Sequence, residues 1–191
     1  MAGGATVHCG MSEAWLAWGV LLAVLGLWTL GAHNRVMSLK AALVACWAQV
    51  DAALQARGQL LGSLLPRLAE PLAGETAAIE AVVQAQARVQ AAAAALSRSP
   101  LAVDTAAELG KADAVLVAVL VRVLALVDRQ PALLADAEVA AALSSLQAQP
   151  PRLQFARQLF NEAGEAYNLA TTQFPTRLLV SLLRFGRAGR L

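Results

Sequence analysis

The chain has 191 residues, of which 58% are hydrophobic, 15% charged and 5% aromatic. That length suits one domain, or one domain with an anchor, and its 44 Ala and 34 Leu lead the helix-propensity scale. With 13 Gly and 7 Pro it is neither collagen-like nor turn-rich all-β; 15 basic against 13 acidic residues are too balanced for a dedicated nucleic-acid binder; and two cysteines, Cys9 and Cys46, exclude a disulfide scaffold.

The first element is a membrane anchor. Residues 14–34 carry no charge, and the apolar heart from Ala14 to Ala32 has 19 residues. At about 1.5 Å per residue this nearly spans a hydrocarbon core of about 30 Å. Trp15, Trp18 and Trp28 stand toward its ends, where indole rings favour the headgroup region. A cleavable signal peptide needs a basic leading region, and residues 1–13 hold no Lys or Arg. Arg35, Lys40 and Arg57 come after the span, so the positive-inside rule places the body in the cytoplasm and the N-terminal tail outside.

No linker separates the anchor from the next helical segment. Leu43, Trp47, Val50, Leu54, Leu61, Leu64 and Leu68 fall at heptad spacing, with Arg57 at the skipped position. The anchor is therefore expected to run unbroken into a first cytoplasmic helix, up to Leu65, where Pro66 and Pro71 kink or end it. A second helix is predicted from Glu75 to Leu96, with Ile79, Val82, Gln86, Val89, Ala93 and Leu96 as its stripe. A third runs from Asp104, a suitable N-cap, to Asp128. Its stretch 114–127 is apolar but for Arg122 and too short to cross a bilayer. It reads as a deeply buried helix whose Arg122 reaches an edge by its long stem, with a buried strand or a second span as rival readings. Residues 132–147 form a short Ala-rich helical stretch.

The last helix opens at Pro150-Pro151, since proline is tolerated in a first turn. Leu153, Ala156, Phe160, Ala163, Tyr167, Ala170 and Phe174 alternate at 3 and 4. One column of that seam is large and the other all alanine, which permits close approach of a neighbouring helix. Residues 176–191 form a basic tail, with Arg177, Arg184, Arg187 and Arg190 and no acid. That tail either lies on the membrane surface or caps the core with its leucines.

Several of these segments resemble the LemA family of membrane-anchored bacterial helical bundles. Ala156-Arg157, Phe160-Asn161, Tyr167-Asn168 and Phe174-Pro175 are similar to a family run in which an Ala-Arg pair precedes two Tyr-Asn pairs and a Phe-Pro. Trp47, Gln49 and Asp51, with Leu54 and Arg57, resemble the family segment after the anchor. The likeness covers about residues 33–186. Departures include His33-Asn34 for a Tyr-Asn pair, Pro150-Pro151 for a Glu-Asn pair, and the basic tail for an aromatic and acidic ending, so the chain reads as a divergent member. The resemblance implies an all-α fold, with a transmembrane helix over 14–34 continuing into a cytoplasmic antiparallel bundle of about four long helices over 35–175.

Catalytic chemistry has little to draw on. His8 and His33 are the only histidines, and neither has an acid beside it. His8-Cys9 offers two metal ligands at most, short of a structural site, and no cofactor is expected. Cys46 is expected to be a small buried hydrophobe. Glu162 and Glu165 lack the histidines a carboxylate-bundle metal site needs and read as a solvated face. Asn161 and Asn168 lie on one helix face and are expected to hydrogen-bond to Gln49, Asp51 or Gln86. A candidate structural or interaction motif therefore comprises Trp47, Gln49, Asp51, Arg157, Asn161, Tyr167, Asn168, Phe174 and Pro175. The sequence points to a non-enzymatic scaffold or interaction protein of the bacterial inner membrane, a single-pass protein with its N-terminus outside. It contacts the lipid bilayer through 14–34 and has a membrane protein or a second copy as partner, with no nucleic acid and no small-molecule substrate. A membrane-linked signalling or sensing accessory is the alternative.

Overall fold

The computed structural model describes the backbone of residues 9–173 and 187–191, with side chains from residue 15 onward. All regular structure among these residues is helical: α1 (Cys9–Ala69), α2 (Thr76–Arg98), α3 (Val103–Val127), α4 (Pro131–Ala135), α5 (Ala137–Gln147) and α6 (Gln149–Thr172), with one 3-10 turn at Ala73–Glu75. They belong to two compact units. The described part of the first is 9–38 with 169–173, and that of the second is 39–168 with 187–191.

In the first unit the opening half of α1 is covered by almost nothing. Trp15 is 77% exposed, and Leu16, Trp18, Leu22 and Leu27 are similarly bare. An 18-residue window here has a mean hydropathy of 1.8, and the helix is long and apolar enough to cross a membrane. An exposed apolar surface of this extent is foreign to a monomer in water.

The second unit has an ordinary apolar core. The stripe expected on α1 is buried at every position, from Leu43 and Trp47 through Leu68, and Arg57 at the skipped position is buried with it. Val82, Val89 and Leu96 of α2, Leu109, Leu116, Val123 and Val127 of α3, and Leu153, Phe160 and Tyr167 of α6 complete it. Trp47 fixes three helices at once. Its indole N–H donates to Ser97 Oγ at 3.0 Å, and its ring meets Phe160 edge-on, with centroids 6.0 Å apart. That geometry suits the aromatic quadrupole.

Four features differ from the expectations. Helix α1 runs through Pro66 to Ala69 and ends two residues before Pro71, instead of stopping at Leu65. The Ala-rich stretch after Gln130 is two helices, because Asp136 leaves helical geometry at ψ 115° and its carboxylate accepts from the Glu138 and Val139 amides, capping α5. Helix α3 is one-sided and not buried all round: Val115, Val117 and Val121 are exposed, and Arg122 is exposed with them, 3.8 Å from Glu75. On α6, the buried small residue of the seam is Gly164. A Cβ there would lie 3.4 Å from Ala188 Cβ and 3.8 Å from Leu43 Cδ1, whereas Ala163 is half-buried. A straight helix drifts by about 20° per heptad, and that drift moves the seam from Ala163 to Gly164.

Gly164→Leu should therefore overpack the seam and lose about 1–3 kcal/mol. Glu162→Leu, on the exposed face, should change the Tm of the full chain little. Equal losses in a thermal melt would place the seam elsewhere.

Candidate functional site

Two groups of polar side chains stand out against the aliphatic core of the second unit. The first is a charge cluster. Arg57 of α1 is 6% exposed and Asp113 of α3 is 4% exposed, and the Arg57 guanidinium donates to Asp113 Oδ1. Arg157 of α6, its side chain 24% exposed, brings Nη2 to 2.8 Å from Asp113 Oδ2. Each carboxylate oxygen thus faces one guanidinium, and three helices are joined through one acid. Both Nε atoms are buried and lack a hydrogen-bond partner among the described residues. The cluster borders a cavity of about 490 Å³, walled by aliphatic side chains of α3, α5 and α6.

Of these three residues only Arg157 belongs to the motif residues singled out from the sequence. Arg57 figures there as the skipped seam position. Asp113 carries a matching signal: Leu109, Asp113, Leu116, Leu120, Val123 and Val127, all buried, repeat at 4 and 3. An acid on one helix seam and a base on another, each in an otherwise apolar column, are readable as partners because neither can be buried alone.

The second group is an asparagine clamp. Asn161 Nδ2 donates to the Leu191 carbonyl at 2.9 Å, and the Leu191 N–H donates back to Asn161 Oδ1 at 2.8 Å. Asn168 does the same with Ala188, at 3.0 and 2.8 Å. Seven residues of helix rise about 10.5 Å, and three residues of polyproline-type extended chain rise about 9 Å and return to the same side. The two asparagines are thus spaced to grip alternate ends of an extended segment lying along α6. Gly189, between the grips, is buried; a Cβ there would come within 2.8 Å of Ala106 Cβ and 2.9 Å of Val103 Cα. The expectation that these asparagines bond to Gln49, Asp51 or Gln86 is corrected. Their partners are main-chain groups of residues 188 and 191, which carry no side-chain signal in a sequence.

The remaining motif residues divide. Tyr167 is fully buried, yet its hydroxyl has no partner among the described residues, and burial raises its pKa. Gln49 is exposed, and Asp51 accepts from Gln55 Nε2 at 2.7 Å on the same helix; neither joins the clamp or the charge cluster. Cys46 is half-buried and outside the core proper. Glu162 and Glu165 are exposed. Phe174, Pro175, His8 and residues 176–186 lie outside the described residues. No group of three or more His, Cys, Asp or Glu able to hold a metal occurs among the described residues.

The sequence pattern of the LemA family matches residues 46–190. The chain belongs to the LemA family. No curated protein matches it. The matched span takes in the charge cluster and both asparagines, along with Ala188 and Gly189 of the gripped segment, and stops one residue short of Leu191. His33-Asn34 lies before the match.

Two outcomes are expected for stability. Asp113→Ala leaves two guanidinium groups facing each other without a counter-ion, and loss of one partner from a buried ion pair costs about 3–5 kcal/mol; denaturant unfolding of the full chain measures it. Tyr167→Phe should be near neutral at pH 7, because the hydroxyl it removes has no described partner. A phenol whose pKa is raised by folding contributes stability that is complete below the unfolded pKa of about 10 and lost as pH rises above it. The wild-type chain should therefore lose stability above about pH 10 more steeply than Tyr167→Phe.

Proposed function

We propose that this LemA-family chain is a non-catalytic, membrane-tethered interaction protein: an antiparallel helical bundle held at the bacterial inner membrane by the first half of α1. The observation that carries the interaction half is the asparagine clamp. Four hydrogen bonds from two side chains read the main chain of an extended segment, as in the recognition of peptides by their backbone. In the structure that segment is the chain's own residues 187–191, and an extended segment of a membrane protein, or of a second copy, meets the same donors and acceptors. The bundle reading is supported by paired contacts along the helices. Trp47 and Gly58 of α1 meet Ser97 and Gln86 of α2 respectively, while Leu43 and Trp47 meet Gly164 and Phe160 of α6; in both pairs one number falls as the other rises. The anchor reading rests on the bare apolar surface of α1. Arg35 and Lys40 just after it favour a cytoplasmic bundle under the positive-inside rule. The non-catalytic reading rests on the residue inventory, in which neither histidine stands beside an acid that could orient it as a base.

The test uses the full chain in native membranes. A photo-crosslinking side chain in place of the exposed Gln158 should give one discrete adduct, lost when Asn161 and Asn168 are both replaced by Leu. A C-terminal reporter active only in the periplasm should stay silent. An adduct indifferent to the asparagines sinks the interaction reading, and strong reporter activity inverts the topology.

A further inference from the structure

The charge cluster and the cavity beside it go beyond a tethering role. Arg57 and Arg157 bring two positive charges to a site where Asp113 is the one carboxylate lining the cavity among the described residues. One positive charge is left over in a place where burial makes an uncompensated charge expensive. The surplus is not diffuse. Arg57 is 94% buried by its 6% exposure, and its Nε, like that of Arg157, is a donor with no partner among the described residues. Away from these guanidinium groups the lining is mostly aliphatic, with Val117, Leu120 and Leu153, and the uncharged Gln147, Gln149 and Gln154 add no charge to it. Val117 and Val121 line the cavity and are also exposed, so the apolar end opens to the outside. A volume of about 490 Å³ falls within the range of about 300–1,000 Å³ usual for small-ligand sites.

From this arrangement we infer that the cavity binds a single-chain amphiphile with a monoanionic carboxylate head, a fatty acid in chemical class. The head accepts from the free guanidinium N–H groups and cancels the surplus charge; the aliphatic tail lies along Val117, Leu120, Leu124 and Leu153. An inorganic anion has no use for the aliphatic wall. A neutral alcohol or alkane leaves the surplus charge unpaired. A phosphate monoester carries about −1.5 to −2 near neutral pH, more than the one positive charge available, and meets Asp113 as a like charge. A carboxylate carries one charge and takes guanidinium hydrogen bonds in paired geometry. Asp113 has a second role in this arrangement: it positions both arginines and trims their charge to one. The inference is independent of the asparagine clamp, which lies on other residues of α6.

The experiment places the full chain in nanodiscs of phosphatidylcholine and titrates in dodecanoate labelled with 13C at the carboxyl. A saturable second carboxyl resonance is expected, and it should remain ionised to a lower pH than the pool dissolved in the bilayer, because the arginines favour the charged form. Val117→Trp, which fills the mouth at an already exposed position, should abolish that resonance with no loss of melting temperature. Arg157→Gln should weaken binding by about tenfold or more. Dodecanol should fail to compete and dodecyl phosphate should compete less well than unlabelled dodecanoate. Absence of a saturable resonance overturns the inference, as does equal competition by dodecanol or binding unchanged in Val117→Trp. Tighter binding of dodecyl phosphate overturns the carboxylate assignment. Because Val117 is on α3 and both clamp asparagines are on α6, failure here leaves the interaction reading standing, and failure of the crosslinking test leaves this one standing.

Discussion

Three helices of this protein converge on a single carboxylate. Asp113 offers one oxygen to Arg57 and the other to Arg157, and no apolar substitute makes such a demand on position. Aliphatic seams tolerate sliding, because one leucine contact replaces another at small cost. An ion pair in a low-dielectric interior does not, since a shift of one residue leaves a charge without its partner. Register among α1, α3 and α6 therefore depends on this cluster more than on the larger area of hydrophobic contact around it. That contact supplies the driving force and the cluster selects one arrangement from several of similar burial, a division of labour known from polar residues in helical seams.

The fold was legible wherever large side chains keep a period. The stripe from Leu43 to Leu68 could be read as a buried seam because every member is big and apolar, and a helix long and apolar enough to cross a membrane could be read from composition alone. Legibility fell where alanine dominates. Between Ala132 and Gln147 the apolar pattern gives no sign that one carboxylate, Asp136, closes one helix and caps the next. On α3 the valines suggested burial on all sides, but half of them face outward and the actual interior face is the heptad column through Asp113. In that column the acid was itself the signal, an exception in a regular series, as Arg57 was on α1.

The candidate site was partly hidden for a different reason. Arg157, Asn161, Tyr167 and Asn168 could be singled out because family motifs contain them, but what they touch could not. Asparagine partners in this chain are main-chain amides and carbonyls, which every residue possesses. Asp51 and Gln49 carry equally suggestive side chains and turn out to serve α1 alone or the surface. Side-chain chemistry announces capacity to bond, and only packing assigns the bond.

The clamp has a further consequence for how the gripped segment is addressed. Asparagine amides that exchange bonds with peptide groups hold any extended sequence with equal strength, so they contribute grip and no discrimination. Discrimination comes from the space between them. With Ala106 Cβ and Val103 Cα crowding the position of Gly189, the segment seats only when a residue without a side chain directly follows the one held by Asn168. A chain displaced by one residue would keep all four of its hydrogen-bonding groups and still be refused. The chain's own C-terminal segment is thus held in place by a glycine at a fixed interval, a requirement written by the absence of atoms, with Arg187 and Arg190 exposed on either side of it.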